Sequence, residues 1–168
     1  MSLPFLLITK KGESFMEKTI VLGEKSIKLR SSAATNILYK KLFHEDVLTQ
    51  LTSYTKNLKE LKNMQEKIQA LREDTTRPKQ DVLADMNELM NSDVLEVAMN
   101  FQSETLPRLA YVMYLEANET IDTIFKKLTE EQYLFWLMTI DQDDLVSVVG
   151  EVIDVWQAGA KTHSKPKN

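Results

Sequence analysis

Between Gly23 and Pro78 the chain contains neither glycine nor proline, and the second half of that interval constrains the fold most. Apolar residues recur there at Val47, Leu51, Tyr54, Leu58 and Leu61; Gln65 breaks the series, and Ile68 and Leu71 resume it. Steps of four and three over two heptads draw one apolar seam along a long amphipathic helix, suited to a hairpin arm or weak coiled coil. Pro78 lacks an amide donor and biases Arg77 away from helix, so 74–80 reads as a loop. Lys56, Lys59, Lys62 and Lys67 lie among Glu60, Glu66 and Glu73 on the other faces, the mixture expected of a solvated surface.

A chain of 168 residues with only 4 Gly and 4 Pro has few turn formers, which argues against a sandwich or barrel. The expected fold class is mainly α: a helical domain with a small N-terminal β-hairpin. The hairpin comes from two β-prone runs, Thr19–Leu22 and Ser26–Leu29, joined through Gly23. Ile27 and Leu29 alternate with Ser26, Lys28 and Arg30, the period of a half-buried strand. Helices are expected from Ala33 to His44 behind a Ser31 or Ser32 cap, along 47–73, and from Asp81 to Met90. Another starts at Asn91–Asp93, and Pro107 should break or kink it near Ser103–Leu106. Leu109–Leu115 is apolar nearly all round and reads as a central buried helix. Thr120–Leu128 is a short helix, and Thr129 with Gln132 forms a capping box before Tyr133–Met138. Asp141 or Asp143 caps a last helix that ends near Gly159.

Residues 16–160 read as a single helical domain and 161–168 as a disordered tail. Residues 1–15 read as a translated leader or a flexible arm. Codons for Lys10–Glu13 can hold a purine-rich ribosome-binding sequence a few codons before Met16, which makes Met16 a candidate start. The apolar run near the N-terminus is too short, and its charge too misplaced, for a secretory signal. No stretch approaches the roughly 18–20 apolar residues of a membrane span. A soluble, cytoplasmic protein without membrane partners is expected.

Chemistry is sparse. The chain has no cysteine, which excludes disulfides, thiolate zinc sites and a Cys nucleophile. His44 and His163 lack partners at ligand spacing. A net charge of −4 lacks the overall footprint of a nucleic-acid binder. Glu130, Glu131, Asp141, Asp143 and Asp144 are candidate Mg²⁺ ligands, but they fall at helix starts, where acids cap amides and meet the positive dipole end. No catalytic residue, metal or cofactor is expected. Tyr133, Leu134, Phe135, Trp136, Leu137 and Met138 are six bulky residues in succession, which one helix cannot turn inward together. Some must form an exposed apolar patch, and such patches mark partner sites.

The order of three features resembles a known family. The hairpin leads into 29–35 (LRSSAAT) and then 38–48 (LYKKLFHEDVL), where a tyrosine and basic residues precede a Phe-x-x-Asp turn. A helix with Ala110, Tyr111 and Met113 follows, and an acidic-apolar helix ends in Trp156 and a polar Lys/Pro tail. Scattered over residues 18–168, these resemble the tail assembly chaperones of long-tailed bacteriophages and prophages. His44 stands where the family often has glycine, and the charged 55–80 segment is longer than smaller members need. The resemblance implies a non-enzymatic assembly factor that binds the long, helical, aggregation-prone tape-measure protein. It also implies help for tail-tube subunits assembling around that protein, self-association, and no nucleic-acid partner. The partner-binding residues expected on this basis are Tyr133, Phe135, Trp136 and Met138, with Trp136 central, and Met113 and Tyr114 beside them. Two other readings stay open: a helical regulator binding nucleic acid through the lysines of 56–67, and an all-α Mg²⁺-dependent nucleotide hydrolase using Asp143 and Asp144.

Overall fold

A computed structural model describes residues 5–8 and 14–160. Strand β1 (Phe5–Ile8) pairs antiparallel with β2 (Ser14–Leu22), and β2 pairs antiparallel with β3 (Lys25–Ser31), giving a three-stranded sheet in chain order. The helices are α1 (Thr35–Phe43), α2 (Val47–Glu73), α3 (Lys79–Met90), α4 (Asp93–Asn100), α5 (Leu106–Asn118), α6 (Ile121–Lys127), α7 (Glu130–Leu137), α8 (Gln142–Ser147) and α9 (Val149–Ala160). The mainly helical class with an N-terminal hairpin is as expected. Strand β1 is an addition, drawn from the segment read as a leader or arm; residues 1–4 and 9–13 of that segment, and the 161–168 tail, lie outside the described residues.

Where one helical domain was expected, the chain groups into two compact units. Among the described residues, unit 1 comprises 5–8, 14–47 and 102–160, and unit 2 comprises 48–101.

In unit 1 the β2–β3 hairpin closes through Gly23 and Glu24, with Leu22 opposite Lys25. Gly23 has φ +58°, the left-handed value that a two-residue hairpin loop starting on glycine requires. Ile20, Leu22, Ile27 and Leu29 are buried, while Thr19, Val21, Ser26 and Lys28 face out. This one-sided burial is the usual antiparallel arrangement, and α5 and α9 cover the inner face. Helix α5 also packs against α1, α6, α7 and α8, which makes it the hub of the unit. Leu106, Leu109, Tyr111, Val112, Met113 and Leu115 are all essentially without solvent contact, so the all-round apolar helix is central as read.

The helix that starts at Asp93 is interrupted just before Pro107, as expected. A π-helical turn, Phe101–Thr105, immediately precedes α5, and Pro107 sits in the first turn of that helix, where a missing N–H is tolerated. The last helix divides at Val148 into α8 and α9. Asp141 caps α8, its carboxylate accepting from the amides of Asp143 (2.9 Å) and Asp144 (3.4 Å). Thr129 caps α7 by accepting from the Gln132 amide at 3.3 Å.

In unit 2, α2 buries Leu51, Tyr54 and Met64, whereas Leu58 is exposed and Leu61, Ile68 and Leu71 are half-buried. The expected seam therefore holds near the start of α2 and loosens along it. Tyr54 stacks on Phe101 with ring centroids 4.0 Å apart. The Ser92 hydroxyl, between α3 and α4, lies 3.8 Å from the Met64 sulfur.

Candidate functional site

The helix period divides the bulky run of α7 into two faces. Tyr133 and Trp136 turn inward and are each only 8% exposed. Inside unit 1 they join an aromatic cluster. Tyr133 meets Phe43 edge-on at 5.1 Å, Tyr111 lies 5.4 Å from Tyr133 and 5.3 Å from Trp136, and Tyr114 is 5.8 Å from Trp136. Offset and tilted rings at these spacings are favourable contacts. The Tyr111 hydroxyl donates to the Lys127 carbonyl at 2.7 Å, tying α5 to the end of α6. Burial pushes the Tyr111 phenol up to about 12, and the nearby Tyr114 and Glu119 push it the same way.

Leu134, Phe135 and Met138 point the other way and are 56%, 58% and 84% exposed. The expected split between inward and outward residues is present, but its centre lies elsewhere. Trp136, expected as the anchor of an interface, is core, as are Tyr133 and the fully buried Met113. Tyr114 is half-buried against Trp136. The reason is spacing: positions 133 and 136 share the face that meets α5, so the bulkiest rings fill the core and 134, 135 and 138 are left outside. Of the six expected partner-binding residues, the structure brings four together as core or its margin and leaves Phe135 and Met138 on the surface.

Two further exposed apolar residues belong to α6, namely Ile121 and Phe125, one helical turn apart. The Lys41 ammonium of α1 lies 4.6 Å from the Phe125 ring, within cation–π range, and exposed Ile37 lies one turn before Lys41. Neither Ile121 nor Phe125 was singled out from sequence, because apolar spacing in so short a helix does not tell which side chains are covered. Leu134, by contrast, was within the bulky run that pointed here.

The other candidate chemistries have plain placements. Asp141 is engaged as a helix cap, and the Asp144 carboxylate lies against Gly23. Among the described residues no group of three or more acidic or histidine side chains converges to hold a metal ion. Lys56, Lys59, Lys62 and Lys67 are all exposed on α2 with Glu60, Glu66 and Glu73. No helix among the described residues is long and apolar enough to cross a membrane.

One buried polar cluster went unread in the sequence. Glu116 of α5 is 5% exposed and accepts from Ser32 (2.5 Å) and Thr35 (2.6 Å), at the junction of β3 and α1. Ser31 donates to the Trp156 carbonyl at 3.2 Å, and the Trp156 indole donates to Asn36 at 2.8 Å. Burial raises the Glu116 carboxyl above its ordinary value, against the lowering effect of its two hydroxyl donors. The cluster clamps α1, β3, α5 and α9 together and is closed to ligands by its own bonds. Its sequence signal is one acid inside an otherwise apolar helix.

Searches of protein-family models, curated proteins and solved structures found no match to the chain.

Proposed function

We propose that the protein is a non-enzymatic assembly chaperone of the phage-tail type, which binds an apolar helical segment of a tape-measure protein on the outer face of α7. The observation that carries this reading is the exposure of Leu134, Phe135 and Met138 on a helix whose opposite face is fully engaged by an aromatic core. Three large apolar side chains in water gain roughly 1.5–3 kcal/mol each on complete burial. Rigid backing by Tyr133 and Trp136 means that little further ordering is needed when a partner arrives. Met and aromatic side chains suit a succession of differing apolar helices, as a long tape-measure chain would present. The family resemblance in 29–48, 109–113 and Trp156 supplies the partner's identity and the accompanying role in assembling tail-tube subunits.

The experiment is co-expression with a tape-measure protein of a long-tailed phage. The wild-type chain should hold that protein in the soluble fraction and co-purify with it. Phe135→Asp should lose both effects while remaining folded, since it replaces an exposed side chain. A tape-measure protein that stays insoluble with the wild-type chain, or is rescued equally by Phe135→Asp, would contradict the proposal.

A further inference from the structure

Unit 2 leaves its own apolar seam open. Helix α3 carries Val82, Leu83, Met86, Leu89 and Met90, yet none of its residues is buried. Between α2 and α3 lies a groove of about 600 Å³, lined by the apolar Ala70, Leu71 and Leu89 together with Ser92 and charged residues of both helices. On the other side of Leu71 a second hollow of about 390 Å³ is lined by Val82 and Leu83 with the loop residues. Two helices side by side bury only a narrow strip of each, so both flanks of this hairpin remain open to solvent.

The charges on the larger groove are arranged in a particular way. Its α2 wall carries Lys67 and its α3 wall carries Asp85 and Glu88. Asp85 is paired with Arg77 at 2.9 Å. Lys67 and Glu88 have no ion-pair partner among the described residues.

We infer that this groove is an interface between two copies of the chain, which joins their α2–α3 hairpins into a four-helix arrangement. A surface with a cation on one wall and an anion on the other is complementary to itself under a two-fold axis. Lys67 then faces Glu88 of the partner subunit and Glu88 faces the partner subunit's Lys67, while Leu71 and Leu89 are buried between them. Four antiparallel helices around a shared apolar centre are the usual way in which such hairpins complete a core. A second copy brings the required charge pattern by symmetry, whereas an unrelated helix would have to match it by coincidence.

Sedimentation of the full-length chain tests this. The wild type should approach twice its 19.4 kDa mass at tens of micromolar. Lys67→Glu and Glu88→Lys should each weaken self-association about tenfold or more, by setting like charges opposite one another. Both positions are exposed, so each variant should melt as a folded monomer at low concentration. Mixing the two variants should restore association, because every contact again joins opposite signs. A wild type that stays at 19.4 kDa, reversals without effect, or mixed variants that fail to associate would each overturn the inference. The interface uses α2 and α3 and not α7, so Phe135→Asp should leave self-association intact whatever it does to tape-measure binding.

Discussion

Helices α5 and α3 are of similar length and both rich in apolar residues, yet α5 buries nine residues and α3 buries none. The difference lies in the number of layers around each helix. In unit 1, α5 has a sheet with α9 along one side and α1, α6, α7 and α8 around the rest. In unit 2, α3 lines two hollows together with the second half of α2, and none of its residues is buried. Apolar periodicity states which face wants cover, and only the count of neighbouring elements decides whether cover is supplied.

The largest effects should separate the two units. Leu109→Ala removes a side chain with no solvent contact and should cost about 2–5 kcal/mol of stability. Leu83→Ala, on a side chain 59% exposed, should stay within about 0.5 kcal/mol in chemical denaturation. Equal costs would break the comparison. Closure can be sharpened within one helix by two glycines of α9. A Cβ at Gly159 would lie 2.6 Å from the Ser31 carbonyl carbon, so Gly159→Ala should cost about 1–3 kcal/mol. Gly150 has open space around it, and Gly150→Ala should stabilise by about 0.5–1 kcal/mol through reduced backbone freedom.

Glu116 tests closure by pH. Its folded-state pKa is raised above 4.5, so the folded chain binds that proton more tightly than the unfolded chain. The resulting stability is fully present below 4.5 and is lost as pH rises through the folded-state value. Glu116→Gln removes the ionisation, so its melting temperature should improve relative to wild type as pH rises across that window. A difference that does not change with pH would mean the carboxyl is not closed off from water. A local test lies at His44, which ends α1 in the left-handed conformation with φ 59° and is exposed. His44→Gly should stabilise by about 1 kcal/mol in thermal unfolding, since only glycine adopts that conformation without steric cost.

Local physics made much of the fold readable. The hairpin follows from period-two alternation about Gly23, the α7 and α8 starts from Thr129 and Asp141, and the central helix from an apolar surface on every side. His44 stands at a turn where the backbone takes the left-handed conformation that glycine adopts most readily. What was hidden depends on contacts distant in sequence. Glu116 is buried because Ser32 and Thr35 come to it from residues more than eighty positions earlier. The α2 seam fades after Tyr54 because pattern alone does not report how many helices are near. In the candidate site, the run 133–138 was visible as a whole, but its division was not. Trp136 is drawn inward by Tyr111 and Tyr114, which no local pattern connects to it.

That division is the most direct point of test. Phe135→Ala and Trp136→Ala should be compared in two measurements, thermal unfolding and affinity for a tape-measure segment. Trp136→Ala should cost about 3–5 kcal/mol of stability as a core truncation. Phe135→Ala should leave the melting temperature nearly unchanged and weaken binding by about tenfold or more, the mark of an interface anchor. Unchanged affinity in Phe135→Ala, with its stability falling as steeply as that of Trp136→Ala, would contradict the account.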